Sequence, residues 1–113
     1  MKITTRSIGD VLVLDCSGKI TLDGGMLSLR NTLHDTLQSG ANKIVLNLAH
    51  TKYIDSPGVG ELVNTYNSVT NAGGQMRLLN LTKKISDPLV ITKLLTVFKS
   101  YNDEQSAVTS FTD

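Results

Sequence analysis

Tryptophan is absent from this 113-residue chain, and aromatic residues make up only 4% of it. No basic stripe with interleaved aromatics is present, so the composition gives no support to a nucleic-acid surface. The same scarcity leaves no obvious self-association patch, and a monomer is the default expectation. Cys16 is the single cysteine; it cannot form an internal disulfide, which agrees with a reducing compartment. No run approaches the roughly eighteen apolar residues that a membrane span requires, so no membrane association is expected. The opening Met1-Lys2-Ile3-Thr4-Thr5-Arg6 lacks the apolar core of a signal peptide, and the expected location is the cytoplasm. Neither sign of charge dominates: eleven basic and ten acidic residues are interspersed, for a formal net charge of +1.

What the chain does have is enough apolar residue, 40% of the total, to build one core. No linker, internal repeat or low-complexity tract divides it, so residues 1–113 read as a single domain. Lys2 to Arg6 and Val11 to Ser17 read as strands joined by a hairpin at Ile8-Gly9-Asp10. Met26, Leu29, Leu33 and Leu37 recur at helical spacing until Gly40. Lys43 to Leu48 is a near-continuous apolar run, the pattern of a strand covered on both faces. A helix with Val59, Leu62, Val63, Tyr66 and Val69 on one stripe follows, and Gly73-Gly74 ends it. Gln75 to Leu81 predicts another strand. Ile85, Leu89, Leu94 and Leu95 suggest a helical segment broken by Pro88, before a short strand near Val97 to Ser100 and a last helix from Asp103 to Val108. Strands alternating with helices imply an α/β fold with a mostly parallel or mixed sheet.

The junction Ile54-Asp55-Ser56-Pro57-Gly58-Val59-Gly60 is the most informative stretch. Ser56 followed by Pro57 reads as an N-cap and a first helical residue. A cap does not account for Gly58 and Gly60, each costing about 1 kcal/mol against Ala in a helix. Either the turn packs tightly on the sheet or another protein approaches this backbone closely. In the second case free N–H groups at the helix end would tolerate a phosphate on Ser56.

Catalytic constellations are mostly missing. His34 falls in the first helix and His50 just after the central strand, without cysteines or paired carboxylates at ligand spacing, so no metal site is expected. His50, Asp55 and Ser56 do not form the Gly-x-Ser-x-Gly setting of a hydrolase, and an Asp adjacent to the Ser is badly placed to orient its base. Gly58-x-Gly60 lacks the further glycine and the lysine of nucleotide loops, and no cofactor is implied. Cys16 lies in a strand-like run and reads as an inert thiol.

Asp55-Ser56-Pro57-Gly58-Val59-Gly60 resembles the Asp-Ser-[Ser/Thr]-Gly-Leu-Gly signature of anti-sigma factor antagonists, bacterial members of the STAS domain family. Gly18, Ile44-Val45-Leu46-Asn47-Leu48, Gly73-Gly74 and Asn80-Leu81 fit the same pattern, so the resemblance spans the chain. It implies a mixed sheet of roughly four to five strands with about four helices packed mainly on one side. It implies a binding protein and not an enzyme: the unphosphorylated form binds an anti-sigma factor serine kinase, phosphorylation at Ser56 releases it, and a PP2C-type phosphatase restores it. The implied contact residues are Asp55, Ser56, Pro57, Gly58, Val59, Gly60, Thr21 and Asp23. The chain departs from the pattern at Pro57, which replaces a hydroxyl residue. It departs again at Lys19-Ile20-Thr21, which replaces an acidic segment and leaves Asp23 as the nearby carboxylate. Pro88 and Lys93 stand where residues normally continue and then terminate the third helix. An unswitched STAS interaction module, in a scaffold or transporter-associated complex, is the alternative reading.

Overall fold

Alternation along the central strands sends neighbouring apolar side chains to opposite faces of one sheet, and each face recruits its own helices. The computed structural model describes residues 1–112 and orders them as β1 (Lys2–Ile8), β2 (Val11–Ile20), α1 (Gly25–Gln38), β3 (Lys43–Ile54), α2 (Ser56–Asn71), β4 (Gln75–Leu79), α3 (Lys83–Ile91), β5 (Lys99–Tyr101) and α4 (Glu104–Thr109), with single 3-10 turns at Leu95–Val97 and Ser110–Thr112. The five strands stand in sequence order across the sheet; β1 and β2 form an antiparallel hairpin, and every later neighbour is parallel. Leu14, Ile44, Leu46, Leu48 and Leu78 point into the main core with Leu29, Leu33, Leu62, Val69, Ile85 and Leu89 from α1, α2 and α3. Val11, Val13, Val45 and Leu79 face the other way, onto Ala107 and Phe111 at the end of the chain. The single α/β domain with a mixed sheet and helices mainly on one side agrees with the sequence reading.

Several strand ends differ from that reading, since β2 runs on to Ile20, β4 stops at Leu79 and β5 begins at Lys99 with Val97 in a 3-10 turn, and β3 and α3 differ most. β3 continues to Ile54 and carries His50 within the strand. The polar tail His50-Thr51-Lys52-Tyr53 shows no apolar run, yet β2 runs on to Ile20 and pairs with it through Gly18–Thr51 after one register shift and through Lys19–Tyr53 and Ile20–Ile54 after a second. The Thr51 hydroxyl also donates to the Cys16 carbonyl at 3.0 Å.

α3 passes through Pro88 without a break and stops three residues later. The proline orphans only the carbonyl of Lys84, an exposed residue. The helix ends in a Schellman motif: Lys93 N–H donates to Val90 O and Leu94 N–H to Leu89 O. Lys93 sits at φ 61°, the left-handed position that Gly73 occupies after α2 with φ 83°.

On the α4 face, the apolar rows give way to a polar ladder across three strands. Arg6 donates to both Asp15 oxygens, at 2.6 and 3.1 Å, and reaches Glu104; Asn47 donates to Asp15 at 2.8 Å, and Asn80 to Asn47 at 3.2 Å. The hydrogen bond from Arg6 holds the Asp15 carboxyl below its ordinary range, aided by Asn47. Burial pushes the Cys16 thiol up to about 12, so it stays protonated and unreactive.

Two outcomes follow for stability. Lys93→Gly relieves a left-handed side-chain residue and should raise unfolding free energy by about 1 kcal/mol in a urea titration. Because the Asp15 pKa is depressed in the folded state, its contribution is present above the unfolded value of about 3.9 and is lost as pH falls through the lower folded value. Melting temperatures measured from pH 6 down to pH 2 should therefore fall less steeply for Asp15→Asn than for the parent chain.

Candidate functional site

The end of β3 and the start of α2 meet at Asp55, and this aspartate, not Ser56, is the N-cap. Asp55 lies in extended conformation (φ −97°, ψ 179°) and its Oδ1 accepts from the Gly58 N–H at 2.8 Å. Its Oδ2 accepts from the Leu22 N–H at 3.0 Å, tying the β2–α1 loop to the helix. Ser56 thus becomes the first helical residue and Pro57 the second. A shorter side chain could cap, but only a carboxylate offers two oxygens to two separate segments at once.

The glycines divide between the two explanations. A Cβ on Gly58 would lie 2.0 Å from the Ile20 carbonyl oxygen and 2.8 Å from Ile54 Cγ1, so Gly58 is required for the turn to pack on the sheet. A Cβ on Gly60 would meet nothing within 4 Å, and Gly60 is exposed. Intramolecular packing therefore explains the first and leaves the second.

The candidate residues separate in the same way. Gly58 and Val59 are buried, Val59 in the main core, and Thr21 is buried with its hydroxyl donating to Asp23 at 3.1 Å. Burial takes these three out of direct reach of a partner; they shape the site from beneath. Asp55 is half-buried and already engaged by two N–H donors. Ser56, Pro57, Gly60 and Asp23 face outward. No hydrogen bond engages the Ser56 hydroxyl among the described residues.

The expected set of free N–H groups is smaller than the sequence suggested. Pro57 has none, Gly58 gives its own to Asp55, and Val59 donates to the Asp55 carbonyl at 2.9 Å. A phosphate on Ser56 would find only the N–H of its own residue, beside the Asp55 carboxylate.

Residues that the sequence reading did not single out complete the surface. Ser56 and Pro57 line a hollow of about 510 Å³ with Tyr53, Pro88, Ile91 and Thr92. Ile91 is 80% exposed and Tyr53 51%, an unusual amount of apolar surface in the hollow that Ser56 lines; Leu22, 65% exposed, belongs to the loop that Asp55 holds. A signal was present in α3: Ile85 and Leu89 form its inward stripe, so Val90 and Ile91 fall off that stripe and must face out. No lysine or arginine lines this hollow.

His50 lines a different hollow from Ser56, so the two do not combine into a catalytic pair. Among the described residues no group of three or more His, Cys, Asp or Glu side chains could hold a metal ion. Among the described residues no helix is long and apolar enough to cross a membrane.

The STAS domain model matches residues 2–107. The chain belongs to the STAS domain family. It is 29% identical over 103 residues to a Thermotoga neapolitana protein named as a candidate anti-sigma factor antagonist, covering 91% of each chain. Among solved structures, a candidate anti-sigma factor antagonist from Thermotoga maritima is 25% identical, with a TM-score of 0.88 over 98% of this chain and 95% of that one. SpoIIAA, an anti-sigma factor antagonist, shares the fold in its unphosphorylated form at a TM-score of 0.79 and 17% identity, over 98% of this chain and 96% of that one. The phosphorylated form of Bacillus SpoIIAA matches at a TM-score of 0.72 and 17% identity, over 97% and 99%.

The division of the STAS junction into inward and outward residues is measurable by urea unfolding. Gly58→Ala should destabilise by more than about 2 kcal/mol because the clash is with backbone. Gly60→Ala should stabilise by about 0.5–1 kcal/mol. Asp55→Ala should cost about 1–2 kcal/mol through loss of the cap and the loop tie.

Proposed function

We propose that this chain is an anti-sigma factor antagonist whose unphosphorylated Ser56 surface docks on an anti-sigma factor serine kinase, freeing the sigma factor. Phosphorylation of Ser56 ends the docking, and a PP2C-type phosphatase reverses it. The observation that carries the reading is an exposed, unengaged serine hydroxyl on the edge of a hollow lined by Tyr53, Pro57, Pro88 and Ile91, preceded by an aspartate that the fold itself consumes. Relatives named as anti-sigma factor antagonists, and the existence of SpoIIAA in phosphorylated and unphosphorylated forms, support it.

The mechanism is one of docking, not refolding. A phosphate adds about −1.5 to −2 charge at pH 7, beside Asp55 and with no cation of the same hollow to pair it. The helix end offers it one N–H, so attraction by the dipole, about 0.3–1 kcal/mol at best, is outweighed by the cost of desolvating a dianion against Tyr53, Pro88 and Ile91. The bound partner must leave, while the cap and the turn beneath stay as they are. Gly60, unneeded for internal packing, lets the partner approach the helix backbone.

Pro57 favours the alternative, an unswitched STAS module in a larger regulatory or transporter-associated complex, because it removes a hydroxyl and a donor next to the phosphate site. Co-purification of a transport ATPase or scaffold, with no kinase, would single out that reading.

In calorimetric titrations against the cognate anti-sigma factor serine kinase, Ser56→Ala should bind as the parent chain does. Ser56→Asp should weaken binding by roughly tenfold or more, equivalent to about 1.4 kcal/mol, with an unchanged melting temperature. Equal binding by both variants would dismiss the switch.

A further inference from the structure

The sheet is left uncovered in one place. α4 is six residues long and, with Phe111, covers Val11, Val13, Val45 and Leu79, with Ile8 and Tyr101 at the margin; past them the same face continues into polar side chains. Two hollows open there, of about 260 and 490 Å³, and share Ser17 and His50. Lys2, Thr4, Asp15 and Asn47 line the smaller. Lys52 on β3 faces Thr82, Lys83 and Lys84 at the start of α3 across the larger.

The charge in these hollows is one-sided. Lys2, Lys52, Lys83 and Lys84 take part in no ion pair among the described residues. Asp15, the one carboxylate in the lining among the described residues, is already held by Arg6 and Asn47. Asp87 lies one turn along α3 from Lys83, is exposed, and makes no ion pair with it. The N-terminal end of α3 adds partial charge of the same sign. In a chain whose formal net charge is +1, four uncompensated lysines on one concave face make a local positive field.

The lining also narrows the ligand chemistry. No Phe, Tyr or Trp among the described residues borders either hollow, and the single His50 ring gives no run of stacking platforms for successive bases. No arginine fork is there to grip a phosphate in bidentate fashion. Flexible lysines spread along an open trough suit carboxylates spaced along a chain. We infer that this trough docks an acidic segment of a protein partner. The trough adjoins the Ser56 surface through α3, which lends Thr82, Lys83 and Lys84 to one and Pro88, Ile91 and Thr92 to the other. One partner can therefore cover both, but the inference does not rest on phosphorylation of Ser56.

The test is an amide chemical-shift titration of the isotope-labelled chain with a short peptide of alternating Asp and Glu. Shifts should concentrate at Ser17, His50, Lys52, Lys83 and Lys84 and vanish in about 0.5 M salt. The triple variant Lys52→Gln, Lys83→Gln, Lys84→Gln should bind at least roughly tenfold more weakly, with its melting temperature unchanged because these side chains are exposed. A control with the same charge change outside the trough, Lys19→Gln, Lys93→Gln, Lys99→Gln, should bind as the parent does. Shifts scattered over the surface, or equal weakening in both triple variants, would overturn the inference. So would tighter binding at the same residues by inorganic phosphate or by a single-stranded oligonucleotide, which would assign the trough to a small anion or to nucleic acid.

Discussion

The two oxygens of Asp55 hold the functional end of this molecule together. One caps α2 through Gly58 and the other fixes Leu22 in the loop after β2. Neither bond would form unless Gly58 could lie against the Ile20 carbonyl, where a side chain has no room. The end of β2, the end of β3 and the start of α2 are thereby locked at one point, on a core that is closed beneath them by Ile20, Ile54, Val59 and Leu62. A base fixed in this way would let the proposed charge change on Ser56 alter docking without altering the fold.

The junction sorts its residues by direction. Asp55, Gly58 and Val59 work inward, and Ser56, Pro57 and Gly60 are presented outward, with Tyr53 and Ile91 lining the hollow beside Ser56 and Pro57. The outward set costs stability, since an exposed glycine at the fifth position of a helix and exposed large apolar side chains each disfavour the isolated domain. Such local costs, at a place where the rest of the chain is consistent, are the expected mark of a surface selected for something other than folding.

Most of the fold was legible in the sequence because its signals are physical and local. The apolar run at Ile44–Leu48, the stripe of α1 and the glycines that end α1 and α2 each correspond to an element in the structure. What could not be read depends on partners distant in sequence. The tail of β3 forms because β2 is there to pair with its polar residues, and α3 survives Pro88 because the orphaned carbonyl belongs to an exposed residue. The capping role of Asp55 was hidden for a related reason: Ser-Pro is a common cap pattern, and only the position of Leu22 makes a two-oxygen acceptor preferable. The exposed apolar surface was partly legible, in Val90 and Ile91 off the α3 stripe. The basic trough was not, since its lysines come from β1, β3 and α3.

Intact mass with fragment mapping, on protein expressed in its native host before and after PP2C-type phosphatase treatment, tests the central claim most directly. One phosphatase-sensitive phosphate on Ser56 is the predicted result. A phosphate on another residue, or none under any growth condition, would contradict it and leave Pro57 as the feature that makes this domain a constitutive binder.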